Sequence, residues 1–166
     1  ADAPERPVLG FRGASGIDGT LSLAAGLACS AAQLVLLSGD LALLHDANGW
    51  LWQRQLQARG IRLCVVVIDN AGGGIFEQLP IRLEDEPAVM DFERLFAMPQ
   101  AIDHTALAAG YGVPARRLSE LSGLEQALEW ALAQPMALLE LRTNRRADAD
   151  WRRQLRRRMA QLSARP

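Results

Sequence analysis

Lysine is missing from all 166 residues, and every strongly basic side chain is one of 18 arginines. That absence excludes lysine Schiff-base chemistry and a phosphate loop built on a lysine. Histidine occurs only as His45 and His104, too few for a histidine-rich metal centre. Cysteine also occurs twice. Cys29 and Cys64 lie in the apolar stretches GLACSAA and RLCVVVI and read as small core residues, not as a disulfide or a metal pair. No apolar run approaches the roughly 18 residues that a spanning helix needs, so no membrane partner is expected. The N-terminal ADAPERPVLG lacks the basic and apolar stretches of a secretory signal, and the expected location is cytoplasmic. The sequence does not open on Met, which suits a piece of a longer chain.

Apolar residues make up 49% and charged residues 22%, the balance of a globular chain that forms one domain over residues 1–166. The net charge of −1 is unevenly split. Residues 1–141 carry nine arginines against seventeen acids, and residues 142–166 carry nine against two. Residues 143–166 read as an Arg-rich C-terminal helix. Trp151, Leu155, Met159 and Leu162 form its apolar stripe, with Arg152, Arg153, Arg156, Arg157 and Arg158 around the rest. Two readings stay open: the solvated face of a docking helix, or the phosphate-binding patch of a noncatalytic nucleic-acid-binding module. The first carries no nucleic-acid partner.

Residues 61–68, IRLCVVVI, form the strongest strand signal, a continuous apolar run that fits the centre of a parallel sheet covered on both faces. Residues 34–37 and 136–141 read as further buried strands, and residues 8–11 as a short one. Helices are expected over residues 20–32, 46–58, 91–96, 103–109 and 119–134, the last capped by Ser119. Residues 80–90 read as a loop. Strands alternating with helices predict an α/β fold, a mostly parallel sheet with helices on both faces.

Ligands in such sheets bind beyond the carboxyl ends of the strands, where two distinctive turns fall. Gly39-Asp40-Leu41 follows the first strand, and Asp40 is either a hard-cation ligand or a helix cap. Asp69-Asn70-Ala71-Gly72 follows the second. Asn70 either offers its amide oxygen or makes an Asx-turn, and the Gly72 carbonyl is a further neutral donor. A glycine-rich bend at residues 13–19 is either an anion cradle or a tight turn. Asp18 reads as the cap of the helix after it, His104 with Asp103 as a capping pair, and His45 as a surface residue.

Gly39-Asp40, thirty residues before Asn70 with a helix and a strand between, resembles the thiamine-diphosphate motif. Leu41 stands where that family usually has a final Gly, and Asp69 where it has the first of two Asn. The segments RGASGIDGTLSLAAG, GDLALLHDANG, NAGGGIFEQLP and FAMPQ resemble the C-terminal, pyrophosphate-binding domain of the menaquinone-biosynthesis branch. The resemblance implies thiamine diphosphate and Mg²⁺ (or Mn²⁺) as cofactors. It implies Asp40, Asn70 and Gly72 as metal ligands and Gly39, Asp40, Leu41 and Ala42 against the diphosphate. Ile17 matches the wedge that bends the cofactor, and Arg12, Ile75, Phe76 and Leu79 match positions facing the substrates. An apolar face packed on the core is the other reading of Ile75, Phe76 and Leu79. The implied reaction decarboxylates 2-oxoglutarate and adds the succinyl unit to isochorismate; another thiamine-diphosphate decarboxylase or carboligase is the alternative. No catalytic residue is expected in this chain, because the activating Glu of the family belongs to an N-terminal domain. The implied partners are N-terminal and central domains and further copies of the whole enzyme, and the chain alone is expected to be inactive.

Overall fold

A computed structural model describes residues 7–10, 16–80 and 91–163. Among the described residues, four parallel strands form one sheet: β1 (Gln33–Gly39), β2 (Arg62–Asp69), β3 (Ala115–Leu118) and β4 (Met136–Arg142), in the order β1-β2-β4-β3. The strand read as central pairs with β1 on one side and β4 on the other. Its alternate residues feed two cores. Leu63, Val65 and Val67 face α1 (Thr20–Ala31), α2 (Asp40–His45), α3 (Gln53–Ala58) and α4 (His104–Gly110), in a core that includes Leu21, Leu43, Trp50 and Leu138. Cys64 and Val66 face the other way, toward Ala127 and Ala131 of α5 (Leu124–Leu132). Each such Val or Leu contributes roughly 1.5–3 kcal/mol by leaving water. Burial also pushes the Cys64 thiol up to about 11.

Several expectations are corrected. β1 is an edge strand with Val35 and Leu37 exposed, because nothing among the described residues pairs with its outer side. Residues 7–10 form no strand, and Phe11 lies outside the described residues. The helix over 46–58 divides into a 3₁₀ segment (Ala47–Trp52) and α3, which buries Trp50 and leaves Leu51 and Trp52 exposed. Ser119 caps nothing, since α5 starts at Leu124 after a 3₁₀ turn. The segment ahead of it is drawn into β3 instead. Its sequence, ARRL, looks polar, but Arg116 stacks 3.9 Å from the Trp130 ring and Arg117 binds the buried Glu140. Asp18 does not cap α1; the Ser22 amide is satisfied across the fold, donating to Asp46 Oδ2 at 2.6 Å. Cys29 is exposed rather than core.

The C-terminal helix, α6 (Arg145–Ser163), packs by its first turns on the segment Gly74–Gln78. Its stripe of Trp151, Leu155, Met159 and Leu162 faces outward, so the docking contact is made by Arg145, Ala149 and Arg153 instead.

Candidate functional site

β1 and β2 lie side by side in parallel register, with Gly39 opposite Ile68. Their carboxyl ends therefore deliver Asp40 and Asn70 to the same rim of the sheet. Asp40 is the first residue of α2, buried to 5% exposure, and its Oδ2 accepts from the Gly72 N–H at 2.7 Å. The two turns singled out in the sequence are thus joined directly. Burial pushes the Asp40 carboxyl above the ordinary carboxylate range; the Gly72 and Leu41 amides oppose this, the charge of Asp69 adds to it, and His104 opposes it. A cation beside the carboxylate would reverse that rise.

Asn70 supplies the second donor. Its Oδ1 is buried and has no hydrogen-bond partner among the described residues. A buried amide oxygen left unpaired costs on the order of 1–3 kcal/mol, and a ligand at this point removes the cost. The Asx-turn belongs instead to Asp69, whose Oδ1 accepts from the Ala71 amide at 3.0 Å. Asp69 also lies 3.5 Å from Arg142 Nε, so the acid is charge-paired there.

The third donor sits in a backbone that only glycine fits. Ala71 and Gly72 have φ of 59° and 115°. A Cβ on Gly72 would stand 2.1 Å from the Ala97 carbonyl oxygen. Gly73 donates to that same oxygen at 2.6 Å, and Gly74 donates to the Gly72 carbonyl at 2.8 Å, closing a tight inverse turn. One lone pair of the Gly72 carbonyl remains. The motif FAMPQ is thereby given a physical role. Residues 93–97 form a wide π-type turn, closed by Met98 N–H to Glu93 O at 2.7 Å, which holds Ala97 against the 72–73 backbone.

A buried carboxylate, an unpaired amide oxygen and a spare carbonyl lone pair are the hard oxygen donors that a divalent cation such as Mg²⁺ takes. The residues therefore fit the implied metal. Gly39 has no side-chain cap to offer α2, and the first amides of that helix, from Asp40 to Ala42, favour an anion.

The remaining expected residues are placed as follows. Ile17 is exposed just ahead of α1, and Arg12 lies outside the described residues. Ile75 is 72% exposed and Phe76 and Leu79 are also open, which excludes a face packed into the core. Phe76 rests edge-on against Phe96, with ring centroids 5.9 Å apart. Asp103 caps α4 through the Ala106 amide at 3.0 Å, while His104 is buried and its Nδ1 has no partner among the described residues. His45 is exposed, as expected.

One residue escaped the sequence reading. Arg145, on the Arg-rich segment, is 9% exposed and binds Glu77, Glu93 and the Ala71 carbonyl. Eight other arginines in residues 142–166 hid it, since composition alone does not separate a buried guanidinium from a solvated one.

Residues 4–141 match the family model of the thiamine pyrophosphate enzymes' C-terminal TPP binding domain. The chain is 58% identical over 153 residues to a 2-succinyl-5-enolpyruvyl-6-hydroxy-3-cyclohexene-1-carboxylate synthase of Synechococcus sp. (strain RCC307), covering 91% of this chain and 25% of that protein. It is 53% identical to the synthase of the same name from Synechococcus sp. (strain CC9902), over 92% of this chain and 26% of the relative. The chain thus spans about a quarter of the length of these curated relatives. Among solved structures, a thiamine diphosphate-dependent 4-hydroxybenzoylformate decarboxylase of Rhodococcus jostii RHA1 shares the fold. Its TM-score is 0.60 at 23% identity, over 75% of this chain and 23% of that one.

Proposed function

The chain belongs to the thiamine pyrophosphate enzymes, as their C-terminal cofactor-binding domain, and on that premise we propose that it is one domain of a longer 2-succinyl-5-enolpyruvyl-6-hydroxy-3-cyclohexene-1-carboxylate synthase. The whole enzyme takes 2-oxoglutarate and isochorismate, loses CO₂ from the first and joins the remaining succinyl unit to the second. The relatives of that name, at 58% and 53% identity, support the assignment to this synthase. The observation that carries the site is the hydrogen bond from Gly72 to Asp40, in a turn whose Asn70 has a buried Oδ1 without a partner among the described residues.

In this reading Asp40, the Asn70 amide oxygen and the Gly72 carbonyl hold Mg²⁺ or Mn²⁺. Backbone groups of Gly39, Asp40, Leu41 and Ala42 take the diphosphate. Thiamine diphosphate, when bound, supplies the electron sink for decarboxylation and carbon–carbon bond formation, and the metal anchors its diphosphate. Ile17 supports the cofactor's bend. Arg12 offers a bidentate guanidinium to a substrate carboxylate. Ile75, Phe76 and Leu79 exclude water from the reacting atoms. The activating Glu comes from an N-terminal domain, and the assembled enzyme is a homo-oligomer.

Calorimetric titration of the full-length synthase with thiamine diphosphate, with and without Mg²⁺, tests this. Asp40→Ala and Asn70→Ala are each expected to weaken metal-dependent binding by about 10-fold or more. Binding that ignores Mg²⁺, or survives both substitutions, contradicts the reading.

A further inference from the structure

We propose that Arg145 is a positioning residue that sets the geometry of the 70–72 turn and thereby the affinity of the metal site; the proposal rests on the cofactor reading above. The guanidinium spans four separate pieces of chain. Its Nε donates to Glu77 Oε1 at 2.7 Å, one terminal nitrogen donates to the Ala71 carbonyl at 2.8 Å, and the other reaches both Glu93 oxygens at 2.8 and 2.6 Å. Arg145 opens α6, Glu77 belongs to the segment after the glycines, and Glu93 opens the π-type turn that braces Gly73. Three directions of the planar fork are therefore used, and a lysine has no such fork.

The contact at Ala71 is the informative one. Ala71 lies between two proposed ligands, Asn70 and Gly72, and it is a non-glycine residue at positive φ. Such a conformation persists only when its surroundings hold it. The Asp69 side chain holds the Ala71 N–H and Arg145 holds the Ala71 carbonyl, so both faces of the residue are pinned. Glu77 and Glu93 in turn fix the guanidinium: Glu77 is 2% exposed, and the ion pair with Arg145 is enclosed. This is the arrangement of an outer partner that orients a ligand-bearing loop without touching the metal.

The test measures the apparent Kd of Mg²⁺ for the full-length synthase at saturating thiamine diphosphate, together with the melting temperature of the metal-free form. Arg145→Met is expected to raise that Kd about 10-fold, and Arg145→Lys to restore part of it. Arg153→Ala serves as the control, because Arg153 donates to the Glu77 carbonyl and ties down the same helix without reaching Ala71. It is expected to lower the melting temperature while leaving the Kd within about twofold. If Arg145→Met does not fold, Arg145→Lys alone must raise the Kd at least about threefold. A Kd unchanged in the Arg145 variants while Asp40→Ala abolishes binding overturns the proposal and leaves the cofactor reading standing. An equal rise with Arg153→Ala also overturns it, since helix docking in general would then be the cause. Metal binding that survives Asp40→Ala removes the cofactor reading itself.

Discussion

Position 72 shows how narrow the tolerance is for a single residue. Its φ of 115° is unsuited to an L side chain, and the missing Cβ leaves room for the Ala97 carbonyl, 2.1 Å from where that atom would be. Gly26, inside α1, has open space around its own Cβ position and ordinary helical backbone. Gly72→Ala is therefore expected to destabilise the chain by about 1–3 kcal/mol or more, and Gly26→Ala to stabilise it by up to about 1 kcal/mol. Urea unfolding of both variants checks the contrast. Equal effects would mean that the 72–73 backbone moves freely away from Ala97. Asp40 and Asn70 were legible as candidates from residue type and from their places after two strands. What the sequence did not reveal is that Asp40 receives the Gly72 amide, because a hydrogen bond between residues 32 apart depends on the register of β1 against β2.

The elements fall into two groups by how plainly the sequence announced them. β2 and β4 are central and carry continuous apolar runs, residues 63–68 and 136–139, so the sequence pattern suffices. β3 was missed because its arginines satisfy tertiary partners: Arg117 reaches Glu140 and Asp103, at 2.9 and 3.2 Å. The C-terminal helix is legible in its periodicity, but its contact face is not, because the hydrophobic stripe stays exposed and the buried contact is made by a guanidinium. Docking of α6 by charge has a pH consequence. The hydrogen bonds from Arg145, and then Arg146, hold the Glu93 carboxyl below its ordinary value. A carboxylate with a lowered folded pKa adds stability above its unfolded pKa and loses it as pH falls through the folded value. The chain is expected to lose stability as pH drops below the ordinary Glu value of 4.5, and Glu93→Gln to flatten that part of the profile. Thermal melts from pH 7 to 3 check it; an unchanged slope in the variant would contradict the docking account.

As a whole molecule, the chain is an α/β layer structure with Asp40, Asn70 and Gly72 on one rim of the sheet and large apolar side chains exposed among the described residues. Val35 and Leu37 on the sheet edge, Ile75 near the site, and Trp151, Met159 and Leu162 on α6 are all more than 45% exposed. Surface of that kind suits a domain that seats against other domains, and it fits relatives about four times as long. The fold class followed from alternating strands and helices, and the family from short motifs clustered at the strand tips. The extent of the open surface was not legible, since it depends on which residues the sheet leaves at its edge.

Anomalous diffraction from crystals of the full-length protein grown with Mn²⁺ and thiamine diphosphate bears most directly on the central claim. The account predicts one peak on the rim between β1 and β2, about 2.0–2.6 Å from an Asp40 carboxylate oxygen, Asn70 Oδ1 and the Gly72 carbonyl. An ion bound to the diphosphate elsewhere, or at this rim with Asn70 Oδ1 turned away from it, would contradict the account.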